Sequence, residues 1–331
     1  MELIQFNRLT HSIRTNLIPM KSFNFTQFHH KMNRVKSLFF ASAIIVFGGF
    51  FTSCEDVIEV NVEQKQVKLV VDAFVNTMDT VQSIRLTQSI PYFATPGTEP
   101  AVKDATVLIA DTSNFKVFPF VHTQDGIYQW KPNKNTGDTF VVGRNYALLI
   151  IQGGDTFVSV SRLNPTVSKF DSLRTVPQEG NGPPFAGPGR YLEMFADDLP
   201  GYGNYYWIKT FRNDTFLNKT TELTISQDVG NNGGPAEGGL FIYPIRFQGV
   251  NQFTRPYRDG EKVRVEIHSI SMETFYWFQL LLNESNNGGL FSTPPVNIRS
   301  NIVSLNRNSQ RGLAGFFCMS DVVHKSMIIR E

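Results

Sequence analysis

From Val67 onward the chain is written in short runs of β-branched and aromatic residues, cut by Gly, Pro, Asn and Asp. That is the pattern of strands joined by turns. The runs predict strands over 68–75, 83–87, 106–111, 116–121, 127–130, 146–151 and 157–160. Gly153-Gly154-Asp155 lies between the last two, and the second arm alternates, which predicts a hairpin. Seven strands in about 95 residues, uninterrupted by an amphipathic helix, are what a sandwich of two antiparallel sheets requires. The expected fold class is therefore mainly β, opening with an immunoglobulin- or transthyretin-like β-sandwich over 67–165.

Leu163-Asn164-Pro165 breaks the pattern and marks an expected domain boundary, followed by a second β-rich domain over 166–331. Strands are predicted there over 167–173, 190–195, 205–211, 223–227 and 240–247. The run from Lys262 to His268 alternates strictly, so one face should be buried and the other wet, with His268 exposed or at the rim. Residues 178–189 read as a Gly/Pro-rich loop, and the loop 230–239, rich in Gly and Asn, cannot pack a core. Only one stretch has helical periodicity. Ser271 can cap it, Glu273 suits its first turn, and Phe275, Phe278, Leu281 and Leu282 form one stripe. A helix over 271–283 is expected, ended by Asn286-Asn287-Gly288-Gly289. Segments 296–301, 313–319 and 326–329 close the chain as strands.

Ahead of the strands, 31–37 is basic, 38–51 is almost wholly apolar, and small residues lead into Cys54. The apolar run falls short of the roughly 20 residues a membrane-spanning helix needs and fits the core of a secretory signal. Phe51-Thr52-Ser53-Cys54 resembles a lipobox, with Phe51 in place of the commoner Leu. Cys54 is thus expected to carry lipid and to begin the mature chain; an uncleaved anchor with an incidental cysteine is the alternative. Residues 1–31 precede the basic head, which either reflects translation from Met32 or a cytoplasmic extension. The organisation expected is 1–53 upstream residues and signal peptide, then 54–66 a tether. Glu55, Asp56 and Glu59 in the tether suit either an outward-sorting signal or a plain solvated linker. The expected location is the outer membrane, on its periplasmic or cell-surface face.

Composition follows the same division. The full chain carries 31 basic and 29 acidic residues, but six basic and one acidic lie before Cys54, leaving 25 against 28 and a formal charge of −3. A mature chain of 278 residues (331 minus 53) with that balance is not built for nucleic acid. The only other cysteine, Cys318, sits in Gly315-Phe316-Phe317-Cys318-Met319 and reads as a buried thiol. Core packing, without disulfides, must hold the fold.

Candidate chemistry is sparse. Asp197 and Asp198 stand before a Pro-Gly turn with Asn204 beyond, weak candidates for a metal and better accounted for by turn chemistry. His122, His268 and His324 are far apart in sequence with no carboxylate at metal-ligand spacing. There is no Gly-x-Ser-x-Gly, no His-Glu-x-x-His and no phosphate-cradling loop. No cofactor, metal or catalytic residue is expected. Aromatics carry the remaining signal, with Tyr205, Tyr206 and Trp277 the expected contacts for a ligand or partner. Of the tyrosine pair one should face outward, and Trp277 lies off the stripe of the helix.

The order and spacing of several short segments resemble the domain of unknown function 4249 family, lipid-anchored outer-membrane proteins of Gram-negative bacteria. They include Leu69-Val70-Val71-Asp72-Ala73, Gly126-Ile127-Tyr128, Gly143-Arg144-Asn145-Tyr146, Asn204-Tyr205-Tyr206-Trp207, Phe291-Ser292-Thr293-Pro294-Pro295 and Gly312-Leu313-Ala314-Gly315-Phe316-Phe317. The resemblance implies a lipid-anchored β protein working beside TonB-dependent receptors, and no site residues to carry over. The function expected is a non-enzymatic accessory or binding lipoprotein. The alternative is a surface hydrolase, glycosidase or peptidase, with scattered acids among which Asp197 and Asp198 come first.

Overall fold

The computed structural model describes residues 67–330 apart from 91–94, 96, 98, 179–186, 198, 200–202, 228–239, 244–255, 289–292, 295 and 310. The readings placed on the signal, Cys54, the tether, Asp198 and the 230–239 loop lie outside the described residues.

The first seven strands fall within three residues of the expected runs. They are β1 (Leu69–Asn76), β2 (Gln82–Gln88), β3 (Thr106–Asp111), β4 (Val117–Gln124), β5 (Ile127–Trp130), β6 (Asn145–Gln152) and β7 (Asp155–Arg162). Two strands from near the C-terminus, the two-residue β15 (Val303–Ser304) and the full-length β16 (Leu313–Ser320), join them. The resulting nine-stranded sheet has the order β15-β7-β6-β3-β4-β5-β2-β1-β16. β4 pairs with both β3 and β5, and its register shifts between His122 and Gln124. A bulge of this kind bends a strand, and here the sheet folds over itself. The inward side chains of both halves, among them Val71, Ile84, Ile109, Phe118, Leu148 and Phe157, form one buried cluster. The far edges also meet: Met319 N donates to Ser161 Oγ at 3.0 Å, and Asn164 bridges Ser320. The arrangement is sandwich-like and nearly closed.

The parallel pair β1–β16 needs a close backbone approach. Gly315 sits opposite Val71 with φ +90°, and a Cβ there would run into the Val71 carbonyl. Glycine alone tolerates both the conformation and the contact.

Beyond Leu163 the chain builds two further sheets. β8 (Lys169–Gln178), β9 (Gly189–Asp197) and β13 (Leu240–Tyr243) make a three-stranded one. The other contains β10 (Tyr205–Arg212), β11 (Thr215–Phe216), β12 (Thr224–Gln227), β14 (Lys262–Ile270) and β17 (Val322–Ile328), with β10 and β14 at its centre. Leu192, Met194, Tyr206, Ile208, Val263, Val265 and Ile267 belong to one core cluster between these sheets. The expected helix is α1 (Met272–Ser285); Ser271 Oγ accepts from Thr274 N at 3.1 Å and caps it. A third cluster joins Phe275 and Phe278 of α1 to Phe316 and Cys318 on the outer side of β16. Residues 64–331 thus form one compact unit, within which Pro165 marks a change of sheet.

Three expectations differ. Residues 296–301 do not form a strand, and only Val303–Ser304 beyond them pairs. The last strand begins at Val322 instead of 326. His268 and Glu266 are 2% and 3% exposed, so the supposed wet face of β14 is covered at that end. Alternation records which side chains share a face, but a second layer of tertiary structure decides whether that face meets water.

Candidate functional site

On β10, alternation puts Tyr206, Ile208 and Thr210 into the core. Trp207, Lys209 and Phe211 point to the opposite face. Asn213 and Asp214 then adopt positive φ (48° and 63°), the geometry of a tight two-residue hairpin. β11 returns with Phe216 opposite Phe211, ring centroids 5.1 Å apart. α1 lies over the other end of this face, its Phe278 ring 4.8 Å from Trp207. Between hairpin and helix is a pocket of about 240 Å³. Trp207, Phe216 and Phe278 line it with Leu217, Leu223 and Leu281. Asn218, Thr220 and Ser285 supply polar groups. Glu222 also borders it, but its carboxylate is engaged, accepting from Lys219 N at 2.9 Å.

Charged groups back the aromatic wall. Lys209 Nζ stands 4.0 Å from the Trp207 ring centroid and 5.7 Å from that of Phe216, a cation–π contact. Burial pushes the Lys209 amine below its ordinary value, against the opposing charges of Glu266, Asp79 and Asp72. On the neighbouring strand Glu266 lies opposite Lys209, and His268 opposite Trp207. Glu266 Oε2 is 3.0 Å from His268 Nε2, and Oε1 is 3.2 Å from Arg264 Nε. Burial alone would push the Glu266 carboxyl up; the hydrogen bond to His268 and the charge of Arg264 outweigh it and hold the group below the usual glutamate value. Burial drives His268 down to about 4, helped by the charge of Lys209 and opposed by Glu266. His268 is therefore neutral near pH 7. Since a carboxylate can only accept, its Nε2 carries the proton and donates to Glu266.

The residues named from sequence fall elsewhere. Tyr206 is 1% exposed and belongs to the core. Tyr205 is half-buried, its ring 5.2 Å from Phe275. Trp277 is half-buried among Phe74, Phe278 and Phe316, with its ring 4.9 Å from Phe316. The helix's covered side thus runs through Thr274, Trp277 and Phe278, wider than the stripe predicted. Asp197 ends β9, its carbonyl accepting from Ser168 N and Oγ, both at 3.1 Å. Among the described residues no three His, Cys, Asp or Glu side chains are grouped to hold a metal ion. The pocket residues Trp207, Phe216 and Phe278 escaped sequence reasoning as a group. The detectable signal was the outward parity of Trp207 on an alternating strand; its meeting with Phe216 and α1 is tertiary.

A family model described as Domain of unknown function (DUF4249) matches residues 55–326. No curated protein matches the chain.

Proposed function

The chain belongs to the DUF4249 family, and from that premise we propose that it is an exported lipoprotein, held at the outer membrane by lipid on Cys54, that serves a TonB-dependent receptor as a non-enzymatic binding or accessory protein. The observation that carries the binding part is the pocket of Trp207, Phe216 and Phe278. Ring walls with a few polar groups at the edge are the make-up of a site that captures an apolar or ring-bearing group. Its size of about 240 Å³ suits one ring or a short chain and is small beside a drug-sized site. The charged cluster behind it supports the same reading, because His268, hydrogen-bonded to Glu266 at 3.0 Å, sets its ring 5.7 Å from that of Trp207 and backs the wall. The basic, apolar and small-residue succession before Cys54 supports the anchor.

The test is a pulldown from solubilised outer membrane, with intact mass measured on the same protein. A mature chain beginning at Cys54 with lipid mass, and a TonB-dependent receptor as the main co-purifying protein, are the expected results. Phe216→Ala, which opens the pocket wall, should leave the anchor intact and impair uptake of the receptor's nutrient. An intact N-terminus before Cys54 refutes the anchor. Hydrolysis of polysaccharide or peptide by the purified protein, abolished by Asp197→Asn or Asp198→Asn, refutes the non-enzymatic reading.

A further inference from the structure

The folded-over sheet has an outer side on β15, β7, β6, β3 and β4, and strand register shows what it presents. Val303 lies beside Val158, Val158 beside Leu149, Leu149 beside Leu108 and Leu108 beside Pro119. One row crossing five strands is thus apolar throughout, and all of it points away from the core. The adjoining row is Val160, Ala147, Ala110 and Val117. On the other side, Ile151 lies opposite Thr106 and Thr156, with Leu305 hydrogen-bonded to Thr156. None of these positions carries a charge. Val160 is 59% exposed, Val303 56%, Leu305 60% and Val117 49%.

An antiparallel sheet with one solvated face normally alternates apolar-in and polar-out. These strands do not. Their inward residues, such as Ile109, Leu148 and Phe157, already fill the core, so the outward set is surplus to folding. At about 4.8 Å per strand and 3.3 Å per residue, four strands by six residues and the two residues of β15 present roughly 410 Å². A standard interface takes about 800 Å² from each partner, and in homodimers about 65% of it is apolar, or roughly 520 Å². The face supplies most of the apolar core of such an interface. A lipid surface is the poorer occupant, since membrane-binding faces add Lys or Arg for anionic headgroups and these rows have none. A second copy needs no separate matching, because a two-fold axis brings the same uncharged face against itself, and two sheets stack readily at about 10 Å.

We infer that the outer face of β15, β7, β6, β3 and β4 is the contact through which two copies of this chain form a symmetric dimer. The test is mass in solution by light scattering on the full chain in detergent and on a detergent-free Cys54→Ala form, over a concentration series. Both should have twice the chain mass. Val160→Glu and Val117→Lys, each at a position already near half or more exposed, should give monomers with unchanged circular dichroism and a melting temperature that no longer rises with protein concentration. Tyr276→Glu, equally exposed at 50% but on α1, should leave the dimer intact. A monomer at every concentration overturns the inference, as does a dimer indifferent to both sheet variants. Monomeric Cys54→Ala protein that sediments with phosphatidylcholine vesicles, and loses that binding in Val160→Glu, would make lipid the occupant and overturn it equally.

Discussion

The buried pair Glu266–His268 makes stability depend on pH in a predictable direction. An unfolded histidine titrates near 6.5, whereas His268 in the fold titrates at about 4. The folded state therefore resists a proton that the unfolded chain accepts. The contribution of His268 is full above pH 6.5 and is lost as pH falls from there to and through 4. At 1.36 kcal/mol per unit, the gap amounts to about 3 kcal/mol by pH 4. For a unit of this size that lowers the melting temperature by roughly 6–12 °C. Glu266, held below its usual value, adds a loss of the same sign, but only at pH below about 4.5. The two separate if the slope is read between pH 6.5 and 5. His268→Gln keeps a donor for Glu266 and removes the titration. Urea unfolding of wild type and His268→Gln at half-unit steps from pH 7.5 to 4 should give curves that diverge, with the wild type falling faster below pH 6.5. Parallel profiles for the two proteins across pH 6.5 to 5 would refute the reasoning. A wild type that gains stability on acidification through that window would reverse its sign.

Two further outcomes test the framework. Gly315→Ala forces a side chain into positive φ and against the Val71 carbonyl, so it should destabilise by at least about 2 kcal/mol in chemical denaturation and loosen β16 from β1. Ser271→Ala removes the cap of α1 and should cost about 1 kcal/mol, a fall of roughly 2–4 °C in melting temperature.

Local pattern determined a good deal. Short β-branched runs and Gly-bearing turns placed β1 to β7 to within three residues, because strand periodicity and turn conformation are properties of neighbouring residues. The capped stripe beginning at Ser271 likewise specified α1, and the spacing of segments from Leu69 to Phe317 pointed to the family. What local pattern does not hold is which faces meet. A continuous apolar run such as 146–151 reads as a strand without saying which side is covered, and only the sheet order shows that Leu149 faces outward beside Val158 and Leu108, and Ile151 beside Thr106 and Thr156. Parity placed His268 with the wet residues, yet it packs against Trp207 and Glu266 at 2% exposure. Trp277 lay off the helical stripe, but the β1–β16 pair brings Phe74 and Phe316 against it. β16 comes from more than 200 residues beyond β1, and no local periodicity encodes that partnership. The pocket depends on it as well: Trp207, Phe216 and Phe278 meet because α1 is trapped between β10 and the outer side of β1 and β16. Apolar burial is non-directional, so a sequence states how much surface must be covered, and the topology alone decides what covers it.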